Sequence, residues 1–143
     1  MAHISEFMTT NIETVRPDQT AREAASFMLS ADTGSIPVCE GDRVVGMITD
    51  RDIAVRGVAA GKGPECSVRE LMSDDVVCAR EDDDIRSVAD MMSDAQVRRL
   101  PVLNRNDQLI GMVSLGDLAR ESRGESAHDA LEGVSAPGSQ HQQ

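Results

Sequence analysis

The sequence predicts an α+β protein: two copies of a β-α-β-β-α unit, packed with pseudo-twofold symmetry into one module. Three observations carry this. The phrase GMITDRD at residues 46–52 returns as GMVSLGD at residues 111–117. Slid along itself, the chain puts Arg16, Asp18, Arg22, Ala25, Met28 and Ala31 on Arg80, Asp82, Arg86, Ala89, Met92 and Ala95 in one register. Self-similarity at a fixed period marks a repeated architecture. Each copy also shows, in the same order, a helical apolar pattern and then two apolar runs joined by turn formers.

Each copy opens on a short helical turn, ISEFM or VRELM. Ser67 and Glu70 have the spacing of a capping box around the second of these. A brief extended segment follows, at Thr14-Val15 and at Cys78-Ala79. Next comes an amphipathic helix, expected over 20–31 and 84–95. Thr20 and Glu23 cap the first, with Ala21, Ala24, Ala25 and Met28 on its apolar face. Asp84 caps the second, with Ile85, Val88, Ala89 and Met92 on the face. Two strands then form a hairpin, Ile36–Cys39 with Val44–Thr49 and Leu100–Leu103 with Leu109–Ser114, around the polar turns EGDR and NRNDQ. One residue inserted in the second turn shifts the register by one, so that Asp52 falls on Asp117. A last helix starts after the hydroxyl residue, in DRDIAVRGVAA and LGDLARES. One unit is too small to bury a good core alone. The predicted divisions are residues 1–60 for the first repeat, 61–67 (GKGPECS) for a connector, 68–120 for the second repeat, and 121–143 for a polar tail. Within the tail, AHDALEGV reads as a short helix, and the last ten residues are expected to be mobile.

Composition narrows the function. The 143 residues carry a net charge of −11, and the pI is near 4.6. That excludes a nucleic-acid backbone or an anionic membrane as main partner. No apolar run has membrane-spanning length, and MAHISEFMTTN lacks the basic and apolar regions of a secretory signal. The expected compartment is the cytoplasm. Cys39, Cys66 and Cys78 are odd in number, without CxxC or a His at metal-ligand spacing. They read as reduced structural thiols, and no metal site is expected. Phe7 and Phe27 are the only aromatic residues of this type set, with no Trp or Tyr, so bases cannot stack on rings here. The eight methionines fall largely at apolar positions and read as core filler, Met47 and Met112 also as site lining.

The tandem copies, the IPV and LPV strands, the apolar hairpins and the repeated G-h-h-[ST]-x-x-D ending resemble the cystathionine-β-synthase (CBS) domain, over about residues 4–120. A pair of these domains forms a Bateman module. The stretch TDRDIAVRGVAAGKGP resembles the stand-alone bacterial two-CBS proteins. The resemblance implies a regulatory module that binds an adenosine-containing ligand in clefts between the two repeats, assembled as a disc-shaped dimer. Each cleft would take its ribose carboxylate and hydroxyl from one repeat and its opposite wall from the other. One cleft would hold Ser114, Asp117, Met112 and Arg99, facing Arg16, Ala21, Thr33 and Gly34. The second would hold Thr49, Asp52, Met47 and Ser35, facing Arg80, Ile85, Val97 and Arg98.

The residues suit that chemistry. A carboxylate accepts charge-assisted bonds from both hydroxyls of a ribose. Thr49/Asp52 and Ser114/Asp117 also suit plain helix caps, and the two roles are compatible. Arg99, matched in the first copy by Ser35, favours phosphate and makes the Asp117 cleft the expected stronger site. AMP, ADP, ATP, NAD(H), S-adenosylmethionine and a cyclic dinucleotide are candidate ligands, none of them a required cofactor, and the sequence does not choose among them. The alternative is a ligand-independent dimeric adaptor for a protein partner. Catalysis is not expected: His3, His128 and His141 lie in terminal segments, away from any patterned nucleophile. A homodimer is expected on the basis of apolar helix surface near Met28, Ile53, Met92 and Leu118. The regulated partner and pathway are not legible.

Overall fold

The computed structural model describes residues 2–122. The expected tail helix and the mobility of the last ten residues lie outside them. The chain forms two compact units. One is continuous, Glu13–Val76; the other joins residues 2–12 to residues 77–122. The expectation of an α+β repeat is met in each.

In the continuous unit, α1 (Ala21–Ala31) follows the Thr20 cap. The Thr20 hydroxyl accepts the Glu23 N–H at 3.1 Å, and the Glu23 carboxylate accepts the Thr20 N–H at 3.0 Å. These bonds hold the Glu23 carboxyl below its ordinary value, the Thr20 backbone contributing most. Ala21, Ala24 and Met28 are buried as expected, whereas Ala25 is exposed. Helix α1 ends on Asp32, a left-handed residue at φ 53°, and Thr33 N–H returns to the Met28 carbonyl. Strands β1 (Ser35–Glu40) and β2 (Arg43–Thr49) pair antiparallel. Then come a single helical turn, α2 (Asp50–Asp52), and a π-helix over Ile53–Val58. The long regular helix expected from DRDIAVRGVAA is therefore replaced by a wider one. A short helix, α3 (Val68–Leu71), closes the unit. Glu70 accepts the Ser67 N–H at 3.1 Å and also binds Lys62, and the Lys62 bond lowers its carboxyl most.

The second unit repeats this plan. A 3-10 turn over Ile4–Glu6 accompanies β3 (Ala79–Arg80), α4 (Ile85–Ala95), β4 (Arg99–Leu103), β5 (Leu109–Ser114) and α5 (Leu115–Ser122). Asp84 caps α4 by accepting the Ser87 N–H at 2.8 Å. Gln96 ends α4 in the left-handed region, like Asp32. Both hairpins bulge at the same place, leaving Val45 and Ile110 without a direct partner across the ladder.

The units differ in their early strand. β3 pairs parallel with β4, Ala79 opposite Val102 and Arg80 opposite Leu103. The matching Thr14-Val15 is a single bridge, Val15 to Val38, so the strand expected there does not form. Glu81 N–H extends the second ladder to the Leu103 carbonyl at 2.9 Å. The residue aligned with Glu81 is Pro17, which has no N–H to give.

The opening turns are exchanged between the copies. Ile4 is fully buried with Val88, Met92, Leu100, Val102 and Leu118 of the second copy. Val68 and Leu71 are fully buried with Val15, Met28, Ile36, Val38 and Ile48 of the first. Backbone bonds secure both exchanges: Thr9 and Met112 swap N–H···O bonds at 2.8 and 2.9 Å, and Met47 and Ser73 do so at 2.9 Å each.

Those bridges explain the Gly of the repeated Gly-Met. A Cβ on Gly46 would lie 2.7 Å from Met72 Sδ and 2.8 Å from the Ser73 carbonyl oxygen. A Cβ on Gly111 would lie 2.6 Å from Met8 Sδ and 2.9 Å from the Thr9 carbonyl oxygen. Only Gly lets the incoming strand come this close. The residues named for the dimer surface need correcting too. Met28, Met92 and Leu118 are buried within their own units and Ile53 is half-buried. Among the described residues the exposed large apolar side chains are Leu29, Val55, Val58 and Val77. No disulfide joins Cys39, Cys66 or Cys78, and Cys39 is buried. Burial pushes the Cys78 thiol up, and Arg80 opposes this in part.

Candidate functional site

The two copies of the motif build the same local object. β2 ends at Thr49, whose hydroxyl accepts the Asp52 N–H at 3.0 Å, while Asp52 Oδ2 accepts the Thr49 N–H at 2.9 Å. β5 ends at Ser114, whose hydroxyl accepts the Asp117 N–H at 3.1 Å, while Asp117 Oδ2 accepts the Ser114 N–H at 2.9 Å. Each is a reciprocal capping box with Asp in the place usually held by Glu. The caps expected from sequence are present, and each uses one carboxylate oxygen, leaving Oδ1 of each Asp outside the box.

The segment before each hairpin is pinned to the start of the helix after it. The Gly34 carbonyl accepts the Asp50 N–H at 2.9 Å, and the Arg98 carbonyl accepts the Leu115 N–H at 2.8 Å. Ser35 pairs with Thr49 and Arg99 with Ser114 across the ladders. The Thr33 hydroxyl donates to the Ser35 carbonyl at 3.3 Å. So in the continuous unit Thr33, Gly34, Ser35, Thr49 and Asp52 gather at one end of the hairpin. In the other unit Val97, Arg98, Arg99, Ser114 and Asp117 gather likewise. Met47 and Met112 lie on the same strands, at the bridges to Ser73 and Thr9. Asp117 is buried, at 6% exposure, and Arg99 is half-buried. A carboxylate of this kind, with an arginine one strand away, can take a diol and an anion together.

Four of the residues expected to face the motif of the other copy, Arg16, Ala21, Arg80 and Ile85, take the following places within their own units. Arg16 Nε donates to Asp18 at 3.1 Å in an exposed loop. Arg80 ion-pairs with Asp107 and donates to the Asn104 carbonyl, at the turn end of its hairpin, far from Arg99. Asp107 pushes the Arg80 guanidinium further up. Ala21 is buried at the start of α1, and Ile85 is half-buried against the core at the start of α4.

Two residues beside the carboxylates were missed. Arg120 ion-pairs with Asp117 Oδ1 from one turn further along α5. Arg56 lies near Asp52 in the π-helix, Nε to Oδ1 3.9 Å. The i, i+3 and i, i+4 spacings were the available signal. Among the described residues no group of three or more His, Cys, Asp and Glu could hold a metal ion. No helix there is long and apolar enough to cross a membrane.

Comparison with known proteins gives a family. The model of the CBS domain matches residues 4–57 and again 68–124. The CBS domain-containing protein YhcV of Bacillus subtilis is 41% identical over 136 residues, covering 94% of this chain and 96% of its own. The crystal structure of Hypoxic Response Protein I with two coordinated zinc ions superposes with a TM-score of 0.78 at 33% identity, over 84% of this chain and 98% of that one. The structure of CBSX2 in complex with AMP has the same fold, with a TM-score of 0.74 at 21% identity over 86% and 97% of the two chains. With both repeats matched and a relative of similar length aligned nearly end to end, the chain belongs to the CBS-domain family, as a protein built on a pair of these domains.

Proposed function

We propose that this protein is a non-catalytic sensor that binds an adenosine-containing ligand, of the AMP, ADP, ATP, NAD or S-adenosylmethionine type, at its two Asp motifs. The observation that carries the reading is the duplicated carboxylate, held by its own cap through one oxygen, with the other oxygen outside the cap and facing, at Asp117, an exposed arginine. Arg99 beside Ser114 supplies a phosphate partner. Adenine would lie against aliphatic side chains and backbone, since the chain has no Trp or Tyr. A ligand that binds the native state raises the melting temperature by mass action, by about 2.7 kcal/mol of stability at a hundredfold excess over Kd. AMP and adenosine at millimolar concentration are expected to raise it. No shift with any adenosine compound would sink the sensor.

The competing reading is an adaptor for a protein partner. It is favoured by one fact: both Asp residues are already used as helix caps. We further propose a homodimer in the cytoplasm, its contact formed by the exposed Leu29, Val55 and Val58. Light scattering should give twice the chain mass, and Leu29→Glu with Val58→Glu should return the monomer mass. A monomeric wild type would overturn the assembly.

A further inference from the structure

The two carboxylates differ in the oxygen that their caps leave over. Asp117 Oδ1 is taken by the Arg120 guanidinium. The matching oxygen of Asp52 has only Arg56 Nε at 3.9 Å, beyond hydrogen-bond reach. Arg56 is engaged elsewhere: its Nη1 donates to the carbonyl oxygens of Leu71 at 3.2 Å and Met72 at 3.1 Å. The difference is written into the sequence, because the residue aligned with Arg120 is Val55. The Asp52 side chain is also the more accessible, at 18% against 9% for Asp117.

We propose that Asp52 is the open ribose acceptor and that Arg120 is a built-in competitor at Asp117, so that the Asp117 site fills second. This rests on the sensor reading and reverses the order expected from Arg99. Arg120 is a specificity-determining residue here: it discriminates against a neutral ribose and yields only to a ligand that displaces it. Its own side chain is 68% exposed, so water and salt weaken its grip, and the competition amounts to a several-fold effect rather than a block.

Calorimetry on the full chain with adenosine tests this, because adenosine has no phosphate for any arginine to hold. Asparagine keeps an oxygen for the cap, so Asp52→Asn and Asp117→Asn separate ribose binding from folding, and a thermal melt of each variant checks that. Asp52→Asn should weaken the tighter step about tenfold or more, and Asp117→Asn should leave that step unchanged. Arg120→Ala should strengthen the second step about three- to tenfold, and adding Asp117→Asn should cancel the gain. Raising the salt concentration should strengthen the second step in the wild type but not in Arg120→Ala, since only the wild type has the ion pair to screen. If Asp117→Asn removes the tighter step, or Arg120→Ala weakens adenosine binding, the inference fails while the sensor stands. If AMP binds but adenosine binds to no form of the protein, this inference alone fails; if neither binds to any form, the sensor reading falls and takes this inference with it.

Discussion

Ile4→Ala is expected to cost about 2–5 kcal/mol of folding stability, the usual range for emptying a fully buried aliphatic site. The side chain has no exposed surface and sits among Val88, Met92, Leu100, Val102 and Leu118. Leu71→Ala should cost a similar amount, from the core around Val15, Ile36 and Ile48. The location of the damage is the sharper test. Hydrogen exchange should show Ile4→Ala loosening β4 and β5, and Leu71→Ala loosening β1 and β2. Denaturant melts give the totals. A loss below about 0.5 kcal/mol for Ile4→Ala is what a surface site gives, and would mean that the N-terminal turn is not part of that core.

Much of this fold could be read from the repeat. Helix spans of 20–31 and 84–95 were expected, and α1 and α4 begin one residue later, at Ala21 and Ile85. Apolar periodicity and a capping residue define such helices locally. The exchange of opening turns could not be read. Aligning ISEFM with VRELM says that the segments are equivalent, not which core each one enters. Thr14-Val15 failed as a strand for a reason visible only once the ladder is drawn, the missing N–H of Pro17. The motif residues were found because they recur, with Thr49 and Ser114 capping as expected. Arg120 was passed over because a mostly exposed arginine in a last helix carries no pattern of its own, and only coordinates show which oxygen it takes.

Gly46→Ala and Gly111→Ala are expected to destabilise by about 1–3 kcal/mol each, the range for overpacking a tight contact. Met72 and Met8 can swing aside. The carbonyls of Ser73 and Thr9 cannot, because each is tied by reciprocal backbone bonds to Met47 or Met112. The added methyl group must therefore stretch those bridges or displace the strand. Gly63→Ala is the control, since a Cβ there meets nothing within 4 Å. Equal melting temperatures for Gly63→Ala and Gly111→Ala would show that the bridge does not need glycine.

The exchanged opening turn also sets an order of assembly. Residues 13–76 are a continuous stretch and can complete their core without any later part of the chain. The residues before them cannot. Ile4 has no partner until Val88, Leu100 and Leu118 exist, and its N–H waits for the Asp83 carbonyl, which it meets at 2.8 Å. The segment before residue 13 is thus buried later than the unit that follows it in the chain, kept waiting while that whole unit is made in between. Closing a loop of that length adds little entropy cost beyond that of a shorter one. It does add contacts distant in sequence, which slow folding and lengthen the time that Ile4, Phe7 and Met8 spend exposed to other chains.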